Sequence, residues 1–436
     1  MLFGFGKAKP PLTASRRGQI ELRMRYLVER FTLPVIQQTA IVTDPASFVS
    51  STTVAEDELP SVASRIAKQL QVDIAGLPVE VVDDSPTAAV HQIGESPKIR
   101  IPRAALSDSQ GLVTTLAHEI SHYRLKQFDP GEMPDQGQWL TELATLCGGF
   151  VVAVCNSSVK ESCCSTPAAT VKTLRGLGYL TSADLGYAAA LLARLRNESD
   201  PAWGRLLRAD AQVTFKQAHK SMPAACTMVL DASTVPGPQS SIQQLAEQLV
   251  STNESFQFLA AEQVSGRQGE SCEAFVPALT QMLRSRDEQV VLVAAEALHS
   301  IGPRAQAAAP ALEHLLNHRV DMIAASAGIA LMAIDPNEIV FEHVGDLLEN
   351  RWSAAIPLST ALAQYGHQAA PAGPSVCRRL VTALRRTEDE IIDSLAACLH
   401  AVAAAPMEVI DATISNEEIL EWMKGYLASM DEVPAE

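Results

Sequence analysis

Gly111-Leu112-Val113-Thr114-Thr115-Leu116-Ala117-His118-Glu119-Ile120-Ser121-His122 is the stretch whose reading decides the fold. Val113, Leu116, Ala117 and Ile120 recur at three and four residues, the spacing of one helix face. Leu116 and His118 fall about 200° apart at roughly 100° per residue, so one face enters a core while another carries the histidines. Residues four apart on a helix are neighbours, so His118 and His122 can turn two imidazoles to one ion. Glu119 stands one residue on, where a carboxylate can handle a proton of water beside that ion. Ser107 or Asp108 is predicted to cap the helix, with Gln110 three residues after Ser107. With 10 histidines in the chain, H-E-x-x-H can arise by accident, and the helical context argues against that here.

Before this helix, Leu77 to Val82, Ala88 to Gln92 and Lys98 to Ile101 read as short strands. Gly94-Glu95-Ser96-Pro97 turns the last two. An edge strand beside a metal can pair with an extended peptide and bring its carbonyl to the ion. After the helix, Lys126 to Gly137 is a polar loop, and a second helix is predicted from Gln138 to Val154. It carries Glu142, 24 residues after His118. A short loop folds two helices back antiparallel, so the start of the second faces the first and Glu142 comes within reach. Zinc takes imidazole nitrogen and carboxylate oxygen, and catalytic sites keep three protein ligands and one open position. His118, His122 and Glu142 form such a set, with Glu119 as general base for amide hydrolysis. Glu132 and Asp135, in the loop, are alternative ligands. Tyr123, His91 and His219 are candidates for stabilising an oxyanion.

This pattern resembles the gluzincin zinc metallopeptidases, the thermolysin-like clan. The resemblance implies an α+β zincin-like domain, with His118, His122 and Glu142 as zinc ligands and Glu119 as the base. Thr141-Glu142-Leu143-Ala144-Thr145, Gly148-Gly149-Phe150, Leu177-Gly178-Tyr179-Leu180 and Gly186-Tyr187-Ala188 also resemble a group of uncharacterised bacterial proteins. That similarity runs from about residue 25 to 220, and the place of Glu142 is often Asp in the group. Thermolysin-like enzymes carry an acidic residue soon after the third ligand, which orients a histidine. Here Thr145 and Leu146 fill the next turn, so that support is missing or comes from elsewhere.

A different pattern begins past residue 270. Pro277-Ala278-Leu279 recurs as Pro310-Ala311-Leu312, and Ala297-Leu298 as Ala330-Leu331, both at a step of 33. Each unit holds two helices' worth of apolar periodicity and must stack to bury it. These units resemble HEAT repeats. The expected organisation is a flexible lead-in over 1–17, the zincin-like metal-binding domain over 18–235, a linker or connecting helix over 236–269 and a HEAT-like all-α solenoid over 270–436.

A formal charge of −16 argues against general nucleic-acid binding. The expected partners are a peptide or protein substrate at the zinc and a protein on the repeats. Met1 to Pro11 lacks a secretory apolar core, and no apolar run reaches the ~18 residues of a membrane span, so a cytoplasmic protein without membrane contact is expected. Eight cysteines without a framework read as reduced thiols, with Cys155, Cys163 and Cys164 a second metal site to weigh. His314 and His318 share a helical spacing, and Arg378, Arg379, Arg385 and Arg386 make a basic cluster. The alternative to a peptidase is a silent or latent zinc-fold scaffold whose repeats bind a protein.

Overall fold

The computed structural model describes residues 11–83, 90–92, 98–128, 138–157, 159–166, 169–176, 179–222, 236–237, 240–267, 272–414 and 416–431. The chain divides into two compact units, Met1–Val235 and Pro236–Glu436. The first mixes helices with small sheets, and the second is helical among its described residues.

The first unit opens with α1, Ala14–Phe31. Ile20, Met24, Leu27 and Phe31 recur along one face and are buried. The expected lead-in to residue 17 ends sooner, because Thr13 caps the helix and the Arg16 guanidinium pairs with buried Asp184. After α2, Leu33–Gln38, comes α3, Leu59–Leu70, whose buried face is Leu59, Val62, Ile66 and Leu70. Ala40 to Val42 reads in sequence as a short strand but forms none; the Val42 amide donates to the Gly149 carbonyl at 2.9 Å.

Strands β1, Val79–Val82, β2, Val90–Gln92, and β3, Lys98–Pro102, form one sheet in the order β1-β3-β2. β1 runs parallel to β3 with Val79 opposite Ile99, and β2 runs antiparallel to it. Ile99 and Ile101 alternate inward and are fully buried. Helix α4, Ser109–Leu125, follows, capped by Asp108, which accepts from the Gly111 amide at 3.0 Å. Such a cap contributes about 1 kcal/mol.

Helix α5, Gln138–Thr145, passes through a wide turn, Leu146–Phe150, into α6, Val151–Ser157. This continuous run is long and apolar enough to cross a membrane, but 89% of its most apolar window is buried inside the protein. In sequence, residues 156–172 are small and polar and read as an irregular connection. Their backbone instead enters a hairpin of β4, Val159–Thr166, and β5, Ala169–Gly176, with Val159 opposite Gly176. Val159, Thr166, Thr170, Val171 and Thr173 supply the β-branched propensity that the small polar residues between them obscure. Helices α7, Ser182–Leu195, and α8, Ala209–Ser221, close the unit. Gly186 lets them approach: a Cβ there would stand 2.3 Å from the Ala211 carbonyl oxygen.

In the second unit, helices pair and stack. The pairs are α9, Ile242–Leu249, with α10, Glu254–Ser265; α11, Val276–Met282, with α12, Glu288–Ile301; and α13, Ala309–Leu315, with α14, Asp321–Ile334. They continue with α15, Glu338–Asn350, and α16, Ala355–Tyr365; α17, Gly373–Arg386, and α18, Asp389–Val402; and α19, Pro406–Thr413, and α20, Glu417–Asp431. The second helices α10, α12, α14, α16 and α18 pack in succession, and α15, α17 and α19 do the same. Pro277 and Pro310 fall in the first turns of α11 and α13, where a missing N–H costs nothing. Gly302 and Gly366 follow α12 and α16 at φ 66 and 53, a conformation that favours glycine. Helices α9 and α10 lie in the segment read as a linker or connecting helix, with Leu245, Leu249 and Leu259 buried.

Candidate metal centre

Asp108 fixes the start of α4, and Leu112, Val113, Leu116, Ala117 and Ile120 fix its rotation by burial. That rotation leaves His118, Glu119 and His122 half-buried on the remaining faces. At the other end Arg124 lies 3.7 Å over the Phe31 ring and donates to the Leu70 carbonyl at 2.8 Å, so the helix is held along its length.

Burial sets the protonation of the site. It holds His118 below its ordinary value, with a hydrogen bond to Gln138 acting the other way. It pushes the Glu119 carboxyl up to about 7, partly opposed by the Lys126 ammonium. A carboxyl at that value is a proton acceptor and donor matched to neutral pH. His122 lies one helical turn beyond His118.

Helix α5 faces α4 with its first turn. Gln138 accepts a hydrogen bond through its amide oxygen from His118 Nε2, at 2.8 Å. Trp139, the next residue, lies under two guanidinium groups of α1, Arg16 at 4.2 Å and Arg23 at 5.3 Å. Glu142 is one turn further along α5 and is 7% exposed. Its oxygens accept from the Tyr179 amide at 2.9 Å and the Leu180 amide at 3.1 Å, just before α7. Burial raises this carboxyl and the two amides oppose the rise. Asp184, which completes a capping box with Thr181 and pairs with Arg16, ties the same corner to α1.

The helix thus brings His118, Glu119 and His122 together, while the Glu142 carboxylate is turned to the start of α7. Among the described residues, no group of three or more His, Cys, Asp or Glu side chains is gathered as metal ligands. The donor set still fits zinc in kind: two imidazoles one turn apart, and a carboxylate one turn from the residue that touches the first of them. Gln138 was not singled out in the sequence. Its signal was position, four residues before Glu142 and so on the same face of α5.

The other candidates fall elsewhere. Tyr123 packs half-buried against the core. His219 donates from Nε2 to the Glu198 carbonyl at 3.0 Å and stacks on Phe215. Glu132, Asp135 and the side chains of His91, Cys163 and Cys164 lie outside the described residues. Cys155 is fully buried and its thiol is pushed up to about 12, far from thiolate character. In the second unit His318 lies beyond the end of α13 and accepts from the Val320 amide, so it shares no helix face with His314. Arg379 is buried against Glu388 at 2.8 Å, which removes it from the exposed basic cluster.

A cleft of about 390 Å³ opens beside α13 and α15, lined by Glu313, Leu316, His343, Asp346 and Arg351 among others. No family model and no curated protein matches the chain. One similar solved structure, described as the crystal structure of an engineered protein, is 14% identical, covers 94% of this chain and 100% of its own, and superposes with a TM-score of 0.32. A likeness that low carries no argument about fold or function.

Proposed function

We propose that the first unit is a zincin-like domain acting as a zinc-dependent peptidase, with His118, His122 and Glu142 holding the metal and Glu119 as general base. The single observation that carries this reading is α4 itself. It presents two imidazoles one turn apart with a half-buried carboxyl between them in sequence, which desolvation raises to about 7. In such a site zinc supplies Lewis acidity toward a peptide carbonyl and lowers the pKa of water. Glu119 would take the proton from the attacking water and return it to the leaving amine. Strands β1 and β2 are the edges of the small sheet, and an edge can orient an extended peptide by main-chain pairing. The stacked pairs of the second unit, read as HEAT-like repeats, would recruit a substrate or regulator.

A second reading is a latent or silent zinc-fold scaffold. It is favoured by the Gln138 contact with His118 and by the two amides that hold Glu142.

The test pairs metal analysis with hydrolysis. Purified protein is expected to carry about one zinc, and Glu119→Gln to keep it while losing at least about a hundredfold in peptide cleavage. Wild-type protein without bound metal would sink the proposal. Zinc without cleavage would move the assignment to the scaffold.

A further inference from the structure

We propose that Gln138 is a latch on the metal-binding edge of α4: it holds the distal ring nitrogen of His118 that an ion must take, and metal entry displaces it. The inference rests on the zinc reading above.

The distal nitrogen, Nε2, lies farthest from the helix backbone, so it is the one able to reach an ion shared with a neighbouring helix. In this structure it points at α5, since the Gln138 amide oxygen is 2.8 Å from it. That oxygen has no proton, so Nε2 donates and Nδ1 carries the lone pair. A metal at Nε2 needs the opposite arrangement: the proton must leave that nitrogen, or move to Nδ1, and the amide must swing away.

The latch is mounted firmly. Trp139 is covered by Arg16 at 4.2 Å and Arg23 at 5.3 Å. Arg16 is held in turn by Asp184, whose side chain is 1% exposed. One turn on, Glu142 is bound to the amides of Tyr179 and Leu180. The first two turns of α5 are therefore tied to α1 and to the start of α7. The other role open to a histidine's partner is support: an acceptor on the nitrogen away from the metal orients the ring, and its loss weakens metal binding about 10–100-fold. The two roles predict opposite signs.

The experiment uses the full chain, stripped of metal, as wild type and as Gln138→Leu and Gln138→Asn. Leucine keeps the bulk without an acceptor. Asparagine keeps the amide but is one methylene short, so agreement between the two excludes a packing artefact. Long-range proton–nitrogen NMR on the His118 ring is expected to find the proton on Nε2 in the wild type and a mixture of tautomers in both variants. Zinc titration is expected to give binding about fivefold tighter in both variants, the effect of removing one net hydrogen bond that competes with the metal. Weaker binding in the variants overturns the latch, as does a proton on Nδ1 in the wild type or a tautomer that the substitutions leave unmoved. If no protein takes up zinc, the zinc reading fails and with it the displacement step.

Discussion

His219, in the last turn of α8, carries a pH dependence whose sign follows from its surroundings. Its ring stacks on Phe215 with centroids 5.5 Å apart, and Nε2 donates to the Glu198 carbonyl. Burial lowers the imidazole from its ordinary 6.5, assisted by the Arg194 cation and opposed by the Glu198 carbonyl and Asp200. The folded state thus favours the neutral ring. As pH falls through the unfolded value the unfolded chain takes the proton first, so stability present above about 6.5 is lost below it. His219→Gln keeps a donor for the Glu198 carbonyl and removes the titration. The urea midpoint of the wild type should fall more steeply than the variant's between about pH 7 and 5, and equal slopes would reject the assignment. At this scale the sequence was legible where spacing alone decides, as with His118 and His122. It was illegible where a side chain's partner comes from afar. The spacing of Gln138 and Glu142 puts them on one face of α5, but that Gln138 meets His118 and Tyr179 meets Glu142 is a product of packing.

The wide turn between α5 and α6 shows how an element depends on one backbone position. Gly149 sits at φ 97, and a Cβ there would stand 2.2 Å from the Ala40 carbonyl oxygen. Gln69 braces the same place, donating to the Ala40 carbonyl at 2.8 Å and the Gly148 carbonyl at 3.2 Å. An alanine would be strained in conformation and would push loop backbone outward. Gly149→Ala should cost about 3 kcal/mol, read as a lower denaturation midpoint, and a loss under about 1 kcal/mol would mean that the turn relaxes freely. Helices were readable because their apolar residues repeat: Leu59, Val62, Ile66 and Leu70 gave α3, and the 33-residue step gave α11 to α14. The β4–β5 hairpin was not, since Ser162, Cys163, Cys164 and Ser165 blur its alternation. Ala40 to Val42 misled in the other direction: its apolar residues serve a loop that meets Gly149.

Each unit encloses its own core. In the first, Phe150, Ile120 and Leu191 belong to one continuous cluster, and in the second Phe341, Leu358 and Leu399 belong to another. The second also contains a buried ion pair, Arg379 with Glu388 at 2.8 Å, with side chains 3% and 8% exposed. Removing one partner of such a pair leaves the other charge buried, at about 3–5 kcal/mol, although replacing both by apolar residues can be neutral. The chain divides into two compact units, which should unfold as two transitions in calorimetry. Arg379→Ala should lower one of them by about 10 °C and leave the other in place. Gly149→Ala should move only the second of that pair of transitions, the one Arg379→Ala spares. The double substitution Arg379→Leu with Glu388→Leu should recover most of the lost stability, because the carboxylate is no longer stranded. A single transition that both single substitutions lower would mean that the units fold as one cooperative body.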